Sequence, residues 1–315
     1  MQKLHIILAC TARKRASEPG YPRLRNVARA PVSDRVTEWV ALVSAAPQKY
    51  VAANLYAGEY WQTARKLASR AESAGGTGVF VVSAGLGLVG ISDAVPMYGA
   101  TLAARHPDSV LASSDPTAPS HVRRQWWDEL TCTEILRRNG PQRLVELGED
   151  GSEALVMVCI GRDYLDAVAT DLKNLVERLG DPERVMVFAS GTPLVGLEDS
   201  WVAVSGSLRL VLGGSLSSTN LRAATAVLAE LGASSPSADK ARRVVASLTA
   251  SAGKLPTYDR QRQHDDAILD WIHGYLAEVP NATKTAALRC FRDGGKACEQ
   301  ARFDRLFEHA REMST

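Results

Sequence analysis

The chain opens with an apolar run that stops abruptly: Leu4–Ala9 gives way to Cys10-Thr11-Ala12-Arg13-Lys14-Arg15. The pattern returns at residues 79–83, where a Val-rich run leads into Ser83-Ala84-Gly85-Leu86-Gly87. A buried parallel strand has this form where it delivers small, polar or basic groups to the carboxyl edge of a sheet. Between the two runs lies Leu55-Tyr56-Ala57-Gly58-Glu59-Tyr60-Trp61. Open α/β folds bind ligands at such edges, so the three pieces point to an enzyme that handles nucleotides or nucleic acid.

Further strand-like runs occupy residues 155–160, Val185–Ala189, 201–204 and 208–212. Helical periodicity fills residues 32–45, 60–73, 120–137, 163–179 and Thr219–Leu231. This alternation predicts an α/β fold, a mostly parallel sheet with helices on both faces. Residues 232–239 are small and polar and read as a linker. The expected organisation is a catalytic α/β domain over 1–232 and a helical region over 240–315. The latter has helices at 241–251, Asp265–Glu278, Lys284–Asp293 and 297–313, with Thr283 as a cap. Gly294-Gly295 separates the last two, as in a helix-turn-helix or a related hairpin. Contact with DNA and simple packing on the sheet are both compatible with that pair.

No apolar run approaches the ~20 residues that span a bilayer. The start reads as a strand, so no signal peptide is expected. The five cysteines (Cys10, Cys132, Cys159, Cys290, Cys298) form no CxxC pair, and the six histidines have no metal-ligand spacing. A disulfide framework and a zinc site are therefore not expected, and a cytoplasmic location fits. Walker, HExxH, GxSxG and paired HxE and PCxxC motifs are absent, which argues against a P-loop, a zinc deaminase and an α/β-hydrolase. The GxGxxG spacing at residues 85–90 opens no helical pattern, so a dinucleotide site is not expected either. Net charge is only +2, but residues 1–33 carry seven Lys or Arg against Glu18 alone. Basic loops beside such an edge suit phosphate, though a solvated loop looks the same.

The candidate catalytic carboxylates are Glu59, Asp93 and Asp163. Glu59 stands among aromatics, a setting that can raise a pKa or shield a cation; it also suits a helix start facing the dipole. Asp163 can equally be a helix cap. Tyr56, Trp61, Ser83, Gly85, Tyr98, Ser215 and Asn220 are candidates for holding a base or sugar. The aromatics can stack, and the small turns bring backbone amides close. Candidate phosphate contacts are Arg13, Lys14, Arg15, Arg209, Arg289, Arg292 and Lys296. Cys10 is a nucleophile only if its thiolate is stabilised. Trp126 and Trp127 can stack on nucleic acid or pack in a helix interface.

Cys10-Thr11-x-x-Lys14, Leu55-Tyr56-x-Gly58, Ser83-Ala84-x-x-Gly87-Leu88-Val89 and Pro96-x-Tyr98-x-x-Thr101-Leu102 together resemble the YaaA-like family of bacterial and phage proteins. In that family the third piece usually reads Ser-Ala-Lys; here Gly85 stands at the Lys position. The resemblance implies a fold related to uracil-DNA glycosylases and tRNA-guanine transglycosylases. With the segment from Leu288-Arg289 to Cys298-Glu299-Gln300, the chain more narrowly resembles phage-defence DNA glycosylases that remove glucosylated 5-hydroxymethylcytosine. GQDPYH-like and HPSPLS-like runs are absent, so no catalytic residue carries over from uracil glycosylases. The expectation is a monofunctional glycosylase that flips a modified cytosine out of double-stranded phage DNA and leaves an abasic site. That chemistry needs no metal or organic cofactor. The rival readings are a nucleotide N-ribohydrolase or deoxyribosyltransferase-like enzyme, and a non-catalytic DNA-binding defence module.

Overall fold

The computed structural model describes residues 3–15, 18–72, 77–111, 117–136, 140–148, 154–232, 236–255 and 259–313. The chain forms two compact units, Met1–Lys254 and Leu255–Thr315.

The first unit is built on six strands: β1 (Leu4–Ala9), β2 (Thr77–Ser83), β3 (Gly87–Gly90), β4 (Leu155–Val158), β5 (Val185–Ala189) and β6 (Trp201–Ala203). Their order is β3-β2-β1-β4-β5-β6. All neighbours are parallel except the β2–β3 hairpin. β1 is central, with Ile6 in register with Val79 on one side and Met157 on the other. Each of its residues is buried, which is why it reads as a continuous apolar run rather than an alternating one. The chain moves outward from β1 to β3, then returns to β4 on β1's other side. The topological switch point therefore lies between β1 and β4, and a crevice is expected at its carboxyl end.

Helices α1 (Val32–Ser44), α2 (Glu59–Glu72), α3 (Pro119–Thr131), α4 (Arg162–Leu179), α5 (Thr219–Leu231) and α6 (Ala238–Ser251) cover the sheet. α1, α3 and α4 pack on one another, and α2, α5 and α6 form a second group that also contacts the sheet. α4 shows the local logic. Leu165, Val168, Leu172 and Leu175 make one buried stripe at helical spacing. Gly180, at φ 67°, ends the helix by turning its N–H back to Val176 and Glu177.

The mostly parallel α/β architecture agrees with the sequence expectation, and three details differ. Residues 208–212 are not a strand: they form a single helical turn, Arg209–Leu212, after the Gly206–Leu208 3-10 turn capped by Ser205. The hairpin strand Gly87–Gly90 was not anticipated. The domain boundary also moves. Part of the linker, 233–235, lies outside the described residues, but α6 beyond it buries Ala238, Ala241, Val244 and Val245 in the sheet's core. That apolar stripe assigns the helix to the first unit.

The second unit has its own core around Ile268, Ile272, Phe291, Phe303 and Phe307. Helices α7 (Asp265–Glu278), α8 (Lys284–Asp293) and α9 (Gln300–Met313) surround it. Thr283 caps α8 as expected, accepting from Ala286 N–H. Two short parallel strands, Gln261–Arg262 and Lys296–Ala297, pair where none was expected. No helix among the described residues is long and apolar enough to cross a membrane.

Candidate functional site

The carboxyl ends of β4, β5 and β6 surround an open cavity of about 390 Å³. Ile160, Gly161 and Arg162 line it from the start of α4, Ala189 and Ser190 from β5, and Ser205 and Gly206 from β6. The turn before α5 closes it with Leu216, Ser217, Thr219 and Asn220. Gly161 caps α4 without a side chain, so the first amides of that helix receive no cap from it. Hydroxyls, an amide and helix amides thus converge on a space that fits one base or one sugar. Ile160, Ala189, Val204 and Leu216 supply apolar walls, so the lining suits a ring held between aliphatic side chains with polar groups at its edge. Arg162 spans the rim, donating to Asp166 at 3.0 Å and to the Thr192 carbonyl at 2.8 Å.

Two carboxylate–arginine pairs stand on the helices beside this cavity. Glu59, the first residue of α2, accepts from Arg222 Nη2 at 2.8 Å and from Ser218 Oγ at 2.8 Å, and also from Ser215 Oγ. Burial raises the carboxyl, but the bonds from Arg222, Ser215 and Ser218 outweigh it and bring it down to about 2. Glu59 is therefore an anion at neutral pH, not a general acid. It ties α2 to the turn that closes the cavity. Asp163, on the first turn of α4, pairs with the buried Arg123 of α3 at 2.6 Å. The cap of α4 is Gly161, not Asp163. Asp93 is remote from both: its Oδ2 accepts from Gly90 N–H at 2.8 Å in the turn after β3.

The signature residues at the ends of β1 and β2 form a closed aromatic cluster instead of a pocket. Tyr56, Tyr98 and Trp61 are fully buried. Tyr98 Oη lies 2.9 Å from Tyr56 Oη and 2.7 Å from Ser83 Oγ. Trp61 donates to the Ala53 carbonyl. The close approach to the glycine turn comes from side chains: Trp39 Nε1 donates to Gly85 O and Trp126 Nε1 to Ala84 O, both at 2.8 Å. Trp127 is equally buried, bonded to Asp171. Cys10 is buried with its Sγ 3.1 Å from Tyr164 Oη. With these rings enclosed, the stacking expected of Tyr56, Trp61 and Tyr98 has no open face.

Lys14 is turned inward as well. Its ammonium donates to the Thr11 carbonyl and sits over the rings of Tyr56 and Tyr98, at 4.7 and 4.5 Å. Burial lowers it to about 8, against the pull of Cys10 and Asp108. Its neighbours Arg13 and Arg15 are exposed, as are Arg209 and Arg289. Arg292 and Lys296 have local partners in the second unit: Arg292 donates to Cys298 O at 2.8 Å, and Lys296 lies over Trp271 and Phe291.

Of the residues expected to hold a base or sugar, Asn220 lines the cavity and Ser215 lies in the same turn. Ser190 went unnoticed, although Ser190-Gly191 repeats the strand-end signal seen at Ser83. Among the described residues, no group of three His, Cys, Asp or Glu could hold a metal ion. Comparison with protein-family models, curated proteins and solved structures finds no match to any of them.

Proposed function

We propose that the chain hydrolyses an N-glycosidic bond in the carboxyl-edge cavity, with a nucleic-acid base as leaving group. The observation that carries this is the cavity itself. It has the size of one base or sugar, combines hydroxyls and glycines with the apolar side chains of Ile160, Val204 and Leu216, and lies beside two helices that each carry an arginine-paired carboxylate. In such a reaction the C1′–N bond breaks as positive charge grows on the sugar. Water adds to C1′, and its proton ends on the departing base. An anion near C1′ and donors around the base lower that barrier.

Asp163 supplies the anion, on the same helical turn as Gly161 and Arg162. Glu59 acts as a positioning residue, holding the Ser215–Asn220 turn through Ser215 and Ser218. The amides and hydroxyls of the cavity stabilise the leaving base. The resemblance to phage-defence glycosylases supports glucosylated hydroxymethylcytosine in DNA as the substrate.

The test is to incubate the full chain with phage DNA carrying that base, and with unmodified DNA. Abasic sites are scored by alkaline cleavage, and released base by mass spectrometry. Abasic sites in the modified DNA alone are expected, with Asp163→Asn slowing release at least about a hundredfold. Absence of base release from both DNAs overturns the DNA reading. The cavity's size also favours a second reading, a free nucleotide as substrate. Release of base from nucleotides but not from DNA would select it.

A further inference from the structure

Ten arginines among the described residues have a carboxylate within ion-pair distance. Arg25 pairs with Asp108, Arg123 with Asp163, Arg222 with Glu59, Arg242 with Glu183 and Arg302 with Asp265. One face of α2 is different. Gln62, Arg65, Lys66, Ser69 and Arg70 line a shallow groove of about 740 Å³, whose opposite wall is Thr225 of α5. Among the described residues, none of Arg65, Lys66 and Arg70 has an ion pair. They stand against one another: Lys66 and Arg70 are four residues apart on one helix, where like charges repel. Burial pushes Arg65 down, and the charge of Arg15 adds to that. Folding gains nothing from collecting four cations here, so an anion from outside is the missing partner.

The shape says which kind of anion. Between Arg65 and Arg70 the helix rises about 7.5 Å. That is about two steps of the ~3.4 Å charge spacing along one strand of duplex DNA. A membrane-binding helix needs large apolar side chains on its outer face. Here the exposed residues beyond the helix start are Gln62, Lys66, Ser69, Arg70 and, at its last position, Glu72, and none is apolar. The groove is bounded by two helices, and one turn before Gln62 and Thr225 on those helices Glu59 and Arg222 pair beside the turn that closes the cavity. We propose that this groove, with Arg15, Arg65, Lys66 and Arg70, is a track for the phosphate backbone of a nucleic acid whose strand leads to the cavity. The inference rests on the hydrolase reading only for what happens at the cavity; binding is measured separately.

The experiment is fluorescence anisotropy of a short labelled DNA, single-stranded and duplex, with the full chain between about 50 and about 200 mM salt. Relative to the unaltered protein, Arg65→Gln/Lys66→Gln/Arg70→Gln is expected to bind about tenfold more weakly or worse. Its salt slope should be shallower by about two to three. Arg65→Lys/Arg70→Lys should restore both. If the triple variant does not fold, Lys66→Glu, on a fully solvated position, reads the same slope. An unchanged slope in a folded variant overturns the track. So does binding of the unaltered chain to phosphatidylserine vesicles but not to DNA. Lost binding in the variant, with no base release by the unaltered chain, would sink the hydrolase reading and leave the track standing. Base release with undiminished binding by the variant would do the reverse.

Discussion

At the ends of β1 and β2 the carboxyl edge of the sheet is packed with Tyr56, Tyr98, Trp39 and Trp126, while at the ends of β4, β5 and β6 it opens onto a cavity lined by serines and glycines. Both halves begin the same way, with an apolar strand that stops in small residues. The difference lies in what the rest of the chain sends back. Tyr98 reaches the Ser83 hydroxyl, and the indoles of Trp39 and Trp126 donate to carbonyls of the first turn. No aromatic lines the second. A strand end is an opportunity for a site, and the filling of the space above it decides whether a ligand or the protein's own core uses it.

The largest effect expected from the closed half is on Lys14. Burial holds its ammonium down to about 8 in the fold, against an ordinary value of 10.5. The unfolded chain therefore holds more protons between about 8 and about 10.5, so stability rises with pH across that window. Below it the buried charge costs about 3 kcal/mol. Urea unfolding at a series of pH values should show that rise. Lys14→Met should flatten it and leave the protein at least as stable at neutral pH. A flat profile in the unaltered chain would mean that water reaches the ammonium and that this half is not closed.

Gly85→Ala is next. A Cβ at this position falls 2.7 Å from Tyr98 Cδ2 and 2.9 Å from Trp39 Cζ2, both within packed rings. Overpacking of this kind costs about 1–3 kcal/mol, read as a lower urea midpoint with an unchanged m-value. An alanine that fits without loss would show that the turn has room for a ligand after all.

How much of this was legible depends on how local the cause is. The parallel sheet was, because buried strands must be short Val- and Ile-rich runs between helical patterns. Residues 208–212 misled for the same reason, since a short apolar run has no period of its own and a helical turn started by Ser205 reads alike. The Gly87–Gly90 strand was hidden because glycines at both ends look like a turn. In the site, Asn220 and the Ser215 turn were found from the Gly/Ser run that opens a helix. The pairing of Glu59 with Arg222 spans 163 residues, and the turn after Ser83 is closed by tryptophans from two other helices. No local pattern reports such contacts.

A smaller effect comes from the link beside the open half. Against burial, the bonds from Arg222, Ser215 and Ser218 hold Glu59 at about 2, below its ordinary value of 4.5. A carboxyl depressed in the fold contributes stability that is fully present above about 4.5 and lost as pH falls through about 2. Its side chain is 39% exposed, so solvent screens the pair and the contribution stays under about 1 kcal/mol. Glu59→Gln should remove part of the acid limb of the stability profile and lower the rate of base release. If stability shifts and release does not, Glu59 only joins two helices and the Ser215–Asn220 turn positions itself.

The smallest effect on stability is the sharpest contrast with Gly85. Gly161 also ends a strand of the central sheet, but a Cβ there meets nothing within 4 Å, and its φ of −75° suits any residue. Gly161→Ala should change stability by no more than about 0.5 kcal/mol. The free space it points to is the cavity, so a larger side chain can enter it without disturbing the core. Gly161→Phe should therefore fold with a near-normal urea midpoint and release no base. A filled cavity with base release intact would move the reaction elsewhere on the molecule. A destabilised Gly161→Ala would mean that the open half is as tightly built as the closed one.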